Sequence, residues 1–195
     1  MSVQVQHVNV KIFAEGPDVD LAGAIPVFHR WIQESVFEEL LIDVADYRHV
    51  PAGPGVLLVG HEANYSLDLS SCRLGLLYNR KRLAHGGNAE RLRHGLACCL
   101  AACAALEDEP ALRARGLSFD GSRLRFIIND RLAAPNDDRT LDAVRPDLTP
   151  LLGRLWPGAP PSIAREPGDG RRRFTVDART DSAPPVATLL ERLAV

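Results

Sequence analysis

Residues 41–82, LIDVADYRHVPAGPGVLLVGHEANYSLDLSSCRLGLLYNRKR, decide the fold class. They read as three consecutive β-strands joined by two turns. A strand over 40–47 mixes Ile42, Val44 and Tyr47 with Asp43 and Asp46, and Pro51-Ala52-Gly53-Pro54-Gly55 ends it. Proline brings no backbone donor and glycine admits positive φ, so this stretch is a turn or short loop. Val56-Leu57-Leu58-Val59 is apolar on both faces, the pattern of a strand covered on both sides. Past Gly60 the same strand turns to alternation, with His61, Ala63, Tyr65, Leu67 and Leu69 on one face and Glu62, Asn64, Ser66 and Asp68 on a wet one. Ser70-Ser71 marks a tight turn, and 73–80 returns with Leu74, Leu76 and Tyr78 on the face of Tyr65 and Leu67. That register sets His61 opposite Arg80 and Asp68 opposite Arg73, a cross-strand attraction of about 0.2–1 kcal/mol. In the preceding hairpin, one register brings Asp43 beside Glu62, where two carboxylates repel without a cation between them.

Upstream, 3–13 alternates as a strand, 16–23 is a loop, and a helix begins near Pro26 with Phe28, Ile32, Val36 and Leu40 as its apolar stripe, widened by Trp31 and Leu41. Downstream, Asn88 is a good N-cap for a helix over 89–107, the strongest helical signal in the chain, with Leu92, Leu96, Cys99, Leu100, Cys103 and Leu106 as its buried stripe. The second half has more turns. Residues 117–128 read as a hairpin about Asp120-Gly121, 136–156 as a helix interrupted at Pro146, 162–179 as a hairpin about Pro167-Gly168-Asp169-Gly170, and 183–195 as a closing helix. Runs of strands between helices predict an α+β fold, a mostly antiparallel (mixed) sheet with three to four helices packed on it and a ferredoxin-like element in part. A single domain over 1–195 is expected, with 108–116 as the one place for a subdivision.

The 195 residues are 46% hydrophobic and 25% charged, with a net charge of -2. Bulk electrostatics therefore do not favour nucleic acid or an anionic membrane surface. The basic residues are almost all arginine, Lys11 and Lys81 being the only lysines, a bacterial-like composition together with the many alanines. The N-terminus lacks a basic start and an apolar run, and no apolar stretch is long enough to span a bilayer, so a cytoplasmic location is expected. Cys98, Cys99 and Cys103 fall on one helix and Cys72 near a turn, so neither a disulfide framework nor a standard metal-ligand spacing is evident, and no metal or cofactor is expected.

Two constellations carry chemistry. Arg80, Lys81, Arg82 and His85 precede Gly86, Gly87 and Asn88 at a helix start, where free backbone N–H groups and the positive dipole end would hold a phosphate or carboxylate. The spacing matches no nucleotide fingerprint, and the plainer reading is a solvated strand end. His61 with Tyr65, near Glu62, Asp43, Asp46 and His49, is the catalytic candidate, His61 as general acid or base and Tyr65 as proton donor. His61 and Glu62 are adjacent on a strand and point to opposite faces, which weakens any joint role. Arg171-Arg172-Arg173 follows a turn without aromatic interleaving, a poor nucleic-acid signal. Three readings follow. The leading one is a non-catalytic protein binding an anionic small molecule or a protein partner. The others are an enzyme using His61 in a cleft lined by Tyr65 and Tyr78, and a structural subunit of a homo-oligomer, such as a dimer.

Overall fold

The computed structural model describes residues 3–15 and 20–194. Residues 16–19 of the expected 16–23 loop, and Val195 at the end of the last expected helix, lie outside the described residues. The strands are β1 (Val8–Glu15), β2 (Leu41–Tyr47), β3 (Gly55–Gly60), β4 (Ala63–Asp68), β5 (Gly75–Arg80), β6 (Ser118–Ile128), β7 (Ser162–Arg165) and β8 (Phe174–Arg179). The helices are α1 (Ala24–Glu34), α2 (Asn88–Asp108), the short α3 (Pro110–Arg113), α4 (Asp138–Leu155) and α5 (Val186–Ala194). The strands form one antiparallel sheet in the order β2-β3-β4-β5-β1-β6-β8-β7, so the fold is α+β.

The register explains which face is dry. One row across the sheet runs Val44, Leu58, Tyr65, Tyr78, Val10, Phe126, Val176, and the next runs Val56, Leu67, Leu76, Ile12, Leu124, Ala178. On this face α1, α2, α4 and α5 bury their apolar stripes in one continuous cluster that reaches from Val5 to Leu193. The opposite face carries Ser66, Leu77, Lys11, Arg125 and Asp177 in one row. Alternation at period two separates these sets as the sequence expects.

Several local expectations are corrected. Residues 56–68 are two strands, not one. The chain reverses at His61-Glu62, where Gly60 passes so close to the Ala63 carbonyl that a Cβ would lie 2.5 Å from it. The reversal preserves the alternation, which is why one long strand and a hairpin look alike in the pattern. The β4–β5 connection is a six-residue loop, 69–74, so Asp68 faces Gly75 and Ala63 faces Arg80, in place of the expected Asp68–Arg73 and His61–Arg80 pairs. Asp43 faces Val59 and not Glu62. α1 stops at Ser35, whose φ of 51° is left-handed, leaving Val36 and Leu40 exposed beyond the stripe.

In the second half, 117–128 is no hairpin. β6 runs through Asp120-Gly121 as a bulge, because the Gly121 carbonyl accepts from Trp156 Nε1 at 3.0 Å, and a Cβ there would sit 1.8 Å from the Pro184 carbonyl. α4 continues through Pro146 and Pro150, since the burial of Val144, Leu148, Leu151 and Leu152 outweighs the backbone bonds that proline removes. The 162–179 hairpin forms as β7 and β8.

Lys11 shows how the polar face closes. Its ammonium is buried and donates to Asp68 Oδ1 at 2.5 Å and to the carbonyls of Asp68, Ser70 and Arg73 at 3.1, 3.1 and 2.8 Å. The 69–74 loop is thereby held over the sheet, which buries Ser66 and Asp68 on the face the alternation marked as wet. Burial pulls the Lys11 pKa below its usual value and the Asp68 carboxylate opposes that pull. Lys11→Met should cost about 3–5 kcal/mol in urea unfolding, because Asp68 is left as an unpaired buried charge. The double variant Lys11→Met/Asp68→Asn should recover part of that loss.

Candidate functional site

The α2 stripe that faces the sheet is flanked by a second one, His94, Ala97, Cys98 and Ala101, at helical spacings of three and four. Ala97 and Ala101 are too small to reach the sheet, and a cavity of about 580 Å³ opens beneath them. Its floor is Tyr65 of β4 and Tyr78 and Arg80 of β5. Its sides are Phe37, Glu38 and Glu39 from the α1–β2 connection, Glu62 from the β3–β4 turn, and Leu190 of α5. Phe37 stacks on Tyr65 with centroids 5.4 Å apart, and Tyr65 meets Tyr78 edge-on at 5.3 Å. The rings therefore form one continuous aromatic wall.

Polar groups gather at one end. Arg80 Nη2 binds Glu62 Oε2 at 2.7 Å, and Arg80 Nη1 lies 3.4 Å from His94 Nε2. Guanidinium only donates, so Nε2 is the acceptor and His94 is the neutral Nδ1–H tautomer. Burial, followed by the nearby charges of Arg80 and Arg93, holds the His94 pKa below its ordinary value, in keeping with that assignment. Cys98 Sγ is 3.7 Å from the same nitrogen, and burial pushes the Cys98 thiol up to about 11. The pair at rest is thus thiol and neutral imidazole, not the thiolate–imidazolium pair of an activated nucleophile.

Two of the buried atoms without a well-formed hydrogen bond, among the described residues, belong to residues that line this cavity. Glu39 accepts from the Ala63 N–H at 3.1 Å through Oε2, while Oε1 is covered and unpartnered. The Tyr78 hydroxyl is likewise covered and makes no well-formed hydrogen bond, with Arg80 and Cys98 as its polar neighbours. Burial raises the Glu39 pKa, partly offset by the nearby Tyr65 hydroxyl and the Ala63 N–H, and burial also raises those of both tyrosines.

The sequence-predicted residues divide between this cavity and the surface. Tyr65 and Arg80 line it, as does Tyr78. His61 occupies the β3–β4 turn outside the lining, with its side chain 43% exposed and Nε2 3.9 Å from Glu62. The imidazole that shares a cavity with Tyr65 is His94. At the α2 start, Arg82, His85, Gly86 and Gly87 are exposed, and the Glu90 carboxylate accepts the Gly87 N–H at 2.8 Å, filling the helix end from within the chain. Asn88 is not the N-cap. Its side chain accepts from Val5 N and donates to Val3 O, at 2.9 Å each, tying down the segment before β1. Arg80 donates through Nε to the Arg82 carbonyl at 2.8 Å and through Nη2 to Glu62, so its guanidinium is already committed and does not join the Arg82 and His85 side chains at the helix start.

Sequence reading missed Glu39, His94 and Cys98. The i, i+4 spacing of His94 and Cys98 on the strongest helix was the available signal. Glu39 had none, because its role comes from burial against β4. Cys72, Cys98, Cys99 and Cys103 are all free thiols. Among the described residues, no group of three His, Cys, Asp or Glu could hold a metal ion, and no helix is long and apolar enough to cross a membrane.

The raised Glu39 pKa makes a signed prediction. The folded protein holds this proton more tightly than the unfolded chain, so the stability is intact below the unfolded pKa of about 4 and is lost as pH rises and the buried carboxyl must ionise. Glu39→Gln should therefore raise the urea midpoint at about pH 7 and leave it nearly unchanged at about pH 4. No family model matches the chain, and no curated protein matches it.

Proposed function

We propose that the protein binds, without transforming it, a small, largely apolar molecule carrying an amine, held between α2 and the aromatic wall of β4 and β5. The observation that carries this reading is one cavity of ligand size walled by Phe37, Tyr65 and Tyr78 and lined by three carboxylates, Glu38, Glu39 and Glu62. An ammonium pairs with these carboxylates and packs against the rings of Phe37, Tyr65 and Tyr78. Glu38, Glu39 and Glu62 against Arg80 make the cavity more favourable to a cation than to an anion. An anion at the α2 start, held by Arg80, Arg82 and His85, would have to displace Glu90 and Glu62 first. The protonated thiol of Cys98 and the neutral His94 support binding over catalysis. The four free thiols support a reducing, cytoplasmic setting. The succession β1, α1, β4, β5, α2, β6 supports a ferredoxin-like reading of the sheet's centre, a scaffold that implies no function by itself.

Calorimetric titration with phenethylamine and tryptamine tests the proposal, with phenylacetate as the anionic counterpart. Both amines should bind, and phenylacetate about tenfold or more weaker. Glu39→Gln and Tyr78→Phe should each weaken the amines by about tenfold, the loss of one charge-assisted or buried hydrogen bond. Ala101→Trp, which fills the cavity, should abolish binding. Equal affinity in Ala101→Trp would remove the cavity as the site.

A further inference from the structure

A second cavity, of about 570 Å³, lies on the sheet face that carries no helix. The register sets Thr175 on this face in the row of Asn9 and Ile127. Around it stand Arg131 from the β6–α4 connection, Arg171, Arg172 and Arg173 from the β7–β8 connection, and Ser71 from the loop that Lys11 holds down. The local sequence shapes the arginine wall. Asp169 accepts the Arg171 N–H with Oδ1 at 2.9 Å and the Arg172 N–H with its carbonyl at 3.1 Å, which closes the turn that precedes the three arginines.

The commitments of these guanidiniums are unequal. Arg131 Nη1 donates to the Arg171 carbonyl at 2.7 Å, and Arg173 Nη1 to Asn129 Oδ1 at 3.1 Å, both neutral acceptors. The side chains of Arg171 and Arg172 make no hydrogen bond or ion pair among the described residues. One carboxylate lines the cavity, Glu166, and it already lies 3.6 Å from Arg125, whose guanidinium is also held by Asp177 at 2.7 Å. Four guanidiniums thus converge on one cavity with a single, partnered counter-charge, in a chain whose net charge is -2. Elsewhere on the same face Arg123, Arg125 and Arg179 share the Asp177 carboxylate.

We propose that this arginine cavity is a binding site for a small phosphate-bearing molecule with more than one phosphoryl group. Guanidinium forks match phosphoryl oxygens in pairs, and several such forks around one cavity suit a ligand with several anionic groups. The volume exceeds that of a single phosphate and fits one small molecule. Among the described residues no aromatic side chain lines the cavity to stack a base, which argues against single-stranded nucleic acid as the occupant. The site is separate from the amine cavity under α2, which lies on the other face of the sheet, and the two proposals fail independently.

Inorganic pyrophosphate and tripolyphosphate, titrated calorimetrically into the full chain at low and high salt, test it. Both should bind, tripolyphosphate the tighter, with affinity falling as salt rises. Arg171→Gln and Arg172→Gln leave every described side-chain bond intact, so the variants should fold as the parent and each bind about tenfold weaker. Arg82→Gln should bind as the parent does. No heat with either probe at about 10 mM would overturn the proposal, a concentration far above any useful affinity. Unchanged affinity in Arg171→Gln/Arg172→Gln, or loss in Arg82→Gln, which would move the anion to the α2 start, would also overturn it. A single-stranded oligonucleotide bound more tightly than tripolyphosphate at equal salt would overturn it in favour of nucleic acid.

Discussion

The packing of α2 across β1 and β5 is the contact on which the rest of the molecule depends. Leu92, Leu96, Cys99, Leu100, Cys103 and Leu106 are all fully buried, and each buried leucine contributes about 1.5–3 kcal/mol relative to exposure. The helix comes close because of one residue. A Cβ at Gly95 would stand 3.3 Å from the Val8 side chain and 3.6 Å from those of Val10 and Tyr78, so the helix backbone lies in close contact with the sheet here and a side chain would need Val8 to give by a few tenths of an ångström. Cys99 adds contacts of its Sγ with the carbonyls of Val10 and Leu76, at 3.4 and 3.6 Å.

Close approach along one stripe creates space along the next. Ala97 and Ala101 face the same strands one helical step round and cannot reach them, so the cavity is a consequence of the helix being held down elsewhere. Its polar end is then set by strand geometry. The β3–β4 turn delivers Glu62 to Arg80, and the same turn gives the Ala63 N–H to Glu39. Gly60 makes both possible, since a side chain there would meet the Ala63 carbonyl and the Glu39 carboxyl.

The other face of the sheet is governed by charge. Lys11 closes the 69–74 loop over β1, while Phe13 beside it sits under the guanidiniums of Arg73 and Arg123 at 4.6 and 4.3 Å. Cation–π contact and the Asp177 carboxylate keep these arginines in register without a helix to cover them. Toward β7 and β8 the four-arginine cavity opens, with Glu166 as its lining carboxylate. The two faces thus differ in what organises them, apolar burial on one and a partly balanced lattice of charges on the other.

Period-two alternation in 63–68 and 75–80, and the apolar stripe of 92–106, were enough to determine the antiparallel α+β class, the buried face of Tyr65, Leu67, Leu76 and Tyr78, and α2, because burial imposes its own period on the chain wherever a strand or helix has one dry side. The closing hairpin about 167–170 was legible from its turn residues for the same local reason. Tertiary structure decided the remainder. Alternation is blind to a two-residue reversal at His61-Glu62, so it could not count the strands or move His61 off the face of Tyr65. Proline in α4 and Asp-Gly in β6 carry local signals that packing overrode, through the leucines of α4 and the close approach of Pro184 to Gly121. Which imidazole meets Tyr78, which carboxylate is buried, and which arginines lack a counter-charge all depend on residues far apart in sequence coming together in space, and no local pattern encodes that.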